Sequence, residues 1–287
     1  MNRLILGVDA GNFKGKVAGP FGVDSFRTNI CDWFERDVKE VFGNDDMEFE
    51  IEGRKGFAGS IALYENEFGT GATYGETKAH EDTKIRILLA IHRYVERYCP
   101  GTNVIALVTG QPITRHKDGE KAKIVDMLLG KREFVVNGKK VKYFIEDVRV
   151  SPEGSAAFWS YPTPGLVRII DIGSGTVNMA TIDDKHHIHK SSGTLNFGME
   201  TLKNSKDNEA IARAIYQNAT KLKWNNGDHV LVCGGPAIQL HPYIQKYFPA
   251  AEILQPRLKK ENSYQVLEPQ FANAVGFYTL AKGIFSI

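Results

Sequence analysis

The chain has 287 residues and a mass of 32.0 kDa, enough for one large domain or two moderate ones. Hydrophobic residues at 42% and charged residues at 24% exclude a disordered or fibrous protein. With 36 Lys plus Arg against 34 Asp plus Glu, the formal net charge is +2, which argues against direct, sequence-independent binding of nucleic acid. Cys31, Cys99 and Cys233 are odd in number and form no CxxC pair. A reducing cytosol is expected, rather than a disulfide framework or a structural zinc site. No apolar run approaches the ~20 residues of a membrane span. Met1-Asn2-Arg3 leads straight into Leu4-Ile5-Leu6 without a signal-peptide pattern, so a cytoplasmic protein is expected.

Several of the 28 glycines follow apolar runs. Leu4 to Asp9 reads as a buried strand, and the turn through Gly11 returns it as Lys16-Val17-Ala18, a hairpin. A second hairpin is expected at Glu52-Gly53-Arg54, and a helix from Glu81 to Tyr98 with a stripe of Ile85, Leu88, Leu89, Ile91 and Val95. Val104 to Val108 reads as a strand, Lys117 to Leu129 as a short helix, and Asn137-Gly138 as a hairpin turn leading to Val148-Arg149-Val150. Ser151-Pro152-Glu153 reads as a helix start. Leu166 to Ile170, Val177 to Ile182 and His186 to Lys190 read as strands, and Asn208 to Lys223 as a helix. His229 to Cys233 is a further strand, followed by a helix opening at Gly234-Gly235-Pro236 and a closing helix from Pro269 to Ile284. Hairpins mixed with helices indicate an α/β protein with mixed sheets, and an apolar strand ending in Asp-x-Gly at both Asp9 and Asp171 indicates two related halves.

A strand ending in Asp-x-Gly places a carboxylate able to hold hydrated Mg²⁺ beside a turn whose bare amides can bond a phosphate. Gly11 allows close approach of the main chain, and Lys16 on the return strand can reach a phosphate as a point charge. Taken alone, such a hairpin is usually a plain turn. Asp171-Ile172-Gly173-Ser174-Gly175-Thr176 repeats it, with two hydroxyls added. Two facing hairpins would clamp a polyphosphate, with Asp9 and Asp171 on either side of a metal. Strand, Gly234-Gly235 and Pro236 at a helix start form a third element, where a flat ring can lie on the backbone.

In this order the motifs resemble the actin-like ATPase superfamily, and within it the bacterial plasmid-segregation branch of ParM and AlfA. The family's first phosphate motif, Asp-x-Gly-x-x-x-x-Lys, is matched from Asp9 to Lys16, which assigns Gly11, Asn12 and Phe13 to its turn. The second phosphate motif is matched from Asp171 to Thr176 and the adenosine motif from Val232 to Pro236. Pro152-Glu153 before Ala156-Ala157 resembles the first connecting helix, and Pro269 to Gly276 the second. The resemblance implies an actin-like fold of two related domains, residues 1–150 plus 270–287 and residues 151–269. It implies ATP (or GTP) with Mg²⁺ held by Asp9 and Asp171, hydrolysis with Glu153 positioning the attacking water, and filament assembly, two-stranded or bundled. It further implies plasmid DNA moved through a DNA-binding adaptor at a centromere-like site.

The sequence departs from that pattern at three places. Asn12 and Phe13 stand where many relatives carry Ser or Thr, and Asn178 where an acidic residue is common. Only 60 positions separate Asp171 from Leu231, too few for the helical lobe, subdomain IIB, that ParM-like chains carry there. Gly193 to Gly198 is read as the edge of that missing lobe. Plainer readings accompany the rest. Glu153 also fits an acidic residue favoured by a helix dipole. His186, His187 and His189 fit a solvated hairpin better than a metal site. The last helix fits a packed core element better than a membrane anchor, and Arg257, Lys259 and Lys260 fit a solvated loop, with a filament contact as the minority reading. A small-molecule kinase of the same superfamily is the alternative function, and a non-hydrolysing scaffold the third.

Overall fold

Two mixed β-sheets, each built around a hairpin that ends in an aspartate, organise the computed structural model, which describes residues 3–37, 41–65, 78–202 and 207–286. The first sheet contains β1 (Leu4–Ala10), β2 (Lys14–Gly19), β3 (Gly22–Arg27), β4 (Ile30–Asp32), β5 (Met47–Ile51), β6 (Arg54–Ala58), β7 (Val104–Gln111), β8 (Gly130–Val136) and β9 (Lys139–Pro152). Their order across the sheet is 3-2-1-7-9-8-5-6-4. The second contains β10 (Leu166–Ile172), β11 (Val177–Asp183), β12 (His186–His187), β13 (Gly193–Leu195), β14 (Val230–Gly234) and β15 (Glu252–Ile253), in the order 12-11-10-14-15 with β13 beside β11. In both, a strand pairs antiparallel with its hairpin partner and parallel with a later strand: β1 with β2 and β7, β10 with β11 and β14. The two halves are thus built alike around Asp9 and Asp171.

Among the described residues the helices are α1 (Ser60–Glu65), α2 (Glu81–Tyr98), α3 (Asp118–Leu128), α4 (Ser155–Phe158), α5 (Asn208–Lys221), α6 (Ala237–Ile244) and α7 (Ala272–Phe285). The expected stripe of α2 is buried in the core of the first sheet with Leu4, Leu6 and Val8. His80 caps the helix by accepting from the Thr83 amide, and Glu81 and Asp82 favour its positive end. Around the second sheet, α5 and α6 bury Ile211, Ile215, Leu240 and Ile244 against Ile170, Val177 and Val232. No helix among the described residues is long and apolar enough to cross a membrane.

Four segments differ from expectation. The helix expected at Ser151 begins at Ser155, because β9 runs on to Pro152 and Gly154 turns the chain at φ +72°, so Glu153 precedes the helix. The strand expected over His186 to Lys190 shrinks to His186–His187 and turns into a 3₁₀ helix at His189–Ser191, where the Thr181 amide bonds Ser192 Oγ (2.9 Å). The last helix begins with a 3₁₀ turn, Pro269–Phe271, before α7. The basic cluster is not a solvated loop. It belongs to a hairpin of β16 (Arg257–Lys259) and β17 (Tyr264–Val266). There Leu258 packs with Ala18, Val275 and Tyr278, Arg257 stacks on the Tyr161 ring at 3.8 Å, and Lys260 Nζ donates to the Phe21 carbonyl (2.8 Å).

Helix α7 returns from the second sheet to pack on β1, β2 and β7 of the first, crossing α4 on the way. The crossing demands a glycine. A Cβ on Gly276 would lie 1.8 Å from the Ala156 carbonyl oxygen, and one on Gly7 would lie 2.2 Å from the Tyr278 nitrogen. Gly283, on the same helix, has open space around it. Gly276→Ala is therefore expected to destabilise the protein by about 2–3 kcal/mol. Gly283→Ala is expected to be neutral or to stabilise it by up to about 1 kcal/mol. Denaturant unfolding of both variants checks the contrast, and equal stabilities would refute the close crossing.

Candidate functional site

The strand ends of both sheets open onto one cleft of about 730 Å³, within the range of small-molecule sites. Every residue singled out from the sequence lines it. The first hairpin contributes Asp9, Gly11, Asn12, Phe13 and Lys16, and the second Asp171, Gly173, Ser174, Gly175 and Thr176. Glu153 lines the floor, and Gly234, Gly235 and Pro236 form the far wall with Gln239 and Gln270. At Gly234 the backbone adopts φ +97°, and a Cβ would lie 2.1 Å from the Ile172 carbonyl oxygen, so only glycine fits.

Hairpin register sets the charge pattern. Asp9 lies opposite Lys16 across β1 and β2, and their side chains form an ion pair of 2.9 Å. Asp171 lies opposite Asn178 across β10 and β11, at the same sequence separation. The first half thus offers its aspartate a cation where the second offers an amide.

Asn178 has a fixed orientation. Its Oδ1 accepts from the Ile113 amide (3.3 Å) and from Thr194 Oγ1 (2.8 Å), so Nδ2 must face Glu153 Oε2 (3.2 Å) and Asp171 Oδ2 (3.4 Å). Asn273 of α7 is fixed in the same way: Oδ1 accepts from the Gly154 amide (3.0 Å) and Nδ2 donates to Asp171 Oδ2 (2.9 Å). Glu153 is held by its own amide on the Gln111 carbonyl (2.8 Å), while Gly110 leaves the space its side chain fills.

Sequence reasoning missed the cation at the centre. Lys78 Nζ forms an ion pair with Glu153 Oε1 and lies 3.6 Å from Asp9 Oδ1, while its amide donates to Gln111 Oε1 (3.0 Å). It stands alone in a polar stretch two residues before the α2 cap, with no periodic or motif signal to single it out. Also missed was Arg86, a guanidinium 1% exposed beneath the first hairpin, which donates to Asn12 Oδ1 (2.7 Å) and the Thr28 carbonyl (3.2 Å). Asn12 Nδ2 then faces Gly175 of the opposite hairpin. The stretch read as the edge of a missing lobe starts as β13 (Gly193–Leu195) beside β11, and from its end at Gly198 the chain braces the second turn. Met199 and Glu200 amides bond the Gly173 and Ser174 carbonyls (3.2 and 2.9 Å), and Gly198 is so close that a Cβ would lie 2.4 Å from Ser174.

These contacts move the protonation equilibria in opposite directions. Burial would raise the Asp9 carboxyl, but Lys16 and Lys78 outweigh it and hold Asp9 below the ordinary value. Burial would lower the Lys78 ammonium, but Glu153 and Asp9 keep it above its ordinary value. Asp171 is pushed up to about 6 by burial and by the neighbouring Glu153 and Asp9 charges, against the pull of Asn273 and Asn178. Cys233, 3.8 Å from Asp171, is raised by the same burial and charge. A buried carboxylate short of positive charge, with the carboxylates of Glu153 and Asp9 near it, fits a hydrated divalent cation. No cluster of three or more His, Cys, Asp or Glu converges as a cage among the described residues. Such an ion would share its shell with water and phosphate, as Mg²⁺ commonly does.

Residues 7–155, just over half of the chain, match the family model for the N-terminal domain of actin-like proteins. A comparison with curated proteins gives no significant match. The structure is similar to an AlfA filament bound to AMPPNP, with a TM-score of 0.77 at 19% identity, covering 98% of this chain and 97% of that one. It is similar to AlfA from the B. subtilis plasmid pLS32, with a TM-score of 0.77 at 20% identity over 95% of this chain and 97% of the other. It also resembles the apo psk41 ParM protein, with a TM-score of 0.74 at 16% identity over 100% and 99% of the two chains.

The raised Asp171 carboxyl makes a prediction about stability. A carboxyl that binds its proton more tightly when folded than when unfolded costs stability as pH rises from 3.8, its ordinary value, to about 6. Asp171→Asn, which can still accept from Asn273, should stabilise the protein alone at pH 7.5 by roughly 1–3 kcal/mol. That gain should vanish at pH 3.5. Unfolding curves at the two pH values check it, and an equal gain at both would contradict it.

Proposed function

This chain belongs to the actin-like proteins and has their fold, and from that premise we propose that it is an ATPase whose nucleotide-bound subunits assemble into filaments. The observation that carries this reading is the convergence of two hairpins of matching register, with Asp9 and Asp171 at their ends, on one cleft. The AMPPNP in the similar AlfA filament supports a nucleoside triphosphate as the ligand. The two domains are residues 1–150 plus 270–287 and residues 151–269, each holding one of the two Asp-ended hairpins.

In this reading the amides of Gly11 and Gly173 to Thr176 bind the phosphates, with Lys16 as a point charge, and Gly234-Gly235-Pro236 form the platform for the base. Mg²⁺ held at Asp9 and Asp171 would neutralise charge on the phosphates. Glu153, on the cleft floor between the two aspartates, orients the attacking water. Its position before α4, where Gly154 turns the chain, weakens the plain helix-dipole explanation for an acid there.

The task we infer is segregation of plasmid DNA in the cytoplasm, through an adaptor protein bound at a centromere-like site. A net charge of +2 supports an indirect hold on DNA. The filaments are two-stranded or bundled, because a chain without the extra lobe must use other surfaces for its contacts. Arg257 and Lys260 are already engaged within the subunit, which leaves Lys259 as the residue of that cluster for a charge contact between strands.

Sedimentation with ATP and Mg²⁺, paired with phosphate release, tests this function. Glu153→Ala should slow hydrolysis by on the order of 10²-fold while the variant still pellets with ATP. Asp171→Ala should abolish hydrolysis. Parental rates in Glu153→Ala would remove that residue from the mechanism, and absence of any nucleotide-dependent pellet would remove the filament.

A further inference from the structure

Among the cationic residues lining the cleft, Lys14, Lys16, Lys78 and Arg115, Lys78 comes from neither phosphate hairpin and is ion-paired to two of the buried carboxylates. Asp9, Glu153 and Asp171 are each only 5–6% exposed. Lys16 is committed by hairpin register to Asp9 Oδ2. Lys78 arrives from the segment before α2 and reaches both Glu153 Oε1 and Asp9 Oδ1. Asn178 Nδ2 takes Glu153 Oε2. Each oxygen of Glu153 thus accepts from a protein group, Lys78 on Oε1 and Asn178 on Oε2.

A polyphosphate with a divalent cation changes the balance in this space. A cation held at Asp9 and Asp171 would neutralise one of the two carboxylates that Lys78 serves, and a terminal phosphate would offer the ammonium a more highly charged partner. A lysine can follow such a change without moving its backbone, since its charge sits on a flexible four-carbon stem. The main chain at Lys78 is meanwhile anchored on Gln111, so the swing is confined to the side chain. Resting on the nucleotide reading above, we propose that Lys78 is the residue that senses the terminal phosphate. Its ammonium holds Glu153 Oε1 while the cleft has no triphosphate. It transfers to the terminal phosphate when one binds, and thereby frees Glu153 Oε1 as the acceptor for water.

A sensor of the terminal phosphate must act on triphosphates and leave diphosphates nearly untouched. The quantity to measure is the ratio of affinities for AMPPNP and ADP, by titration calorimetry in Mg²⁺, which needs no turnover. In Lys78→Met the ratio should fall roughly 10- to 100-fold, the worth of one hydrogen bond to a charged group. Lys78→Arg, which keeps the charge, should restore most of it. Because Lys78→Met leaves Asp9 and Glu153 short of a cation, the double variant Lys78→Met/Glu153→Gln provides a second measurement if the single one does not fold. Its ratio should fall as well. Equal weakening of both ligands, which a purely structural role would give, or an unchanged ratio in a folded variant, would overturn the role of Lys78. Parental protein that binds neither ligand would overturn the nucleotide reading itself, and this proposal with it.

Discussion

Three carboxylates buried around one cleft repel one another, and most of the arrangement around them answers that repulsion. A buried ionised group is costly unless it is paired and hydrogen-bonded. Asp9 receives two lysines, Lys16 by register and Lys78 from outside the hairpin, and falls below its ordinary range. Asp171 receives the amides of Asn178 and Asn273, which orient it without cancelling its charge. Two otherwise equivalent hairpins therefore end in unlike electrostatics. One half of the cleft is already neutralised by the protein. The other is left short of positive charge, and that asymmetry marks the second half as the place where an incoming cation gains most.

Much of this was legible in the sequence because it rests on local periodicity and turn chemistry. The two Asp-x-Gly hairpins, the Gly234-Gly235 turn and the stripe of α2 each follow from residues close together in the chain. What escaped depends on long-range contacts. Lys78 is one lysine in a polar stretch, and only the fold brings it to Glu153, 75 positions away. Arg86 belongs by pattern to an ordinary amphipathic helix, yet it is buried and bonded to a turn 74 positions away. Asn273 fell within a recognised segment, but its role needs Gly154 and Asp171 at once. In the basic stretch at Arg257 to Lys260, Arg257 and Lys259 are exposed as charge implies, but Leu258 between them packs on α7 and makes the stretch a strand rather than a loop.

The shortened second half also explains itself in physical terms. A glycine-rich phosphate turn needs its carbonyls satisfied and its shape held if its amides are to keep facing a ligand. Here that support comes from the chain's own continuation. The amides of Met199 and Glu200 take the carbonyls of Gly173 and Ser174, and Gly198 presses against the turn at a distance no side chain tolerates. Such a brace requires only a few residues.

The same economy governs the connection between the halves. Helix α7 leaves the second half, crosses α4 at Gly276 and packs along β1 of the first. From its first turn Asn273 reaches Asp171 on β10 and the Gly154 amide at the end of the other connection. Asn178 does the converse: it stands on β11 and bonds Glu153 and the Ile113 amide of the first half. Glu153 and Asp171 are thus each oriented by an amide carried on the opposite half or on the segment joining them. A rotation of one sheet against the other cannot leave the bonds from Asn273 to Asp171 (2.9 Å) and from Asn178 to Glu153 (3.2 Å) intact. The relative position of the two halves and the orientation of Glu153 and Asp171 are therefore one structural variable.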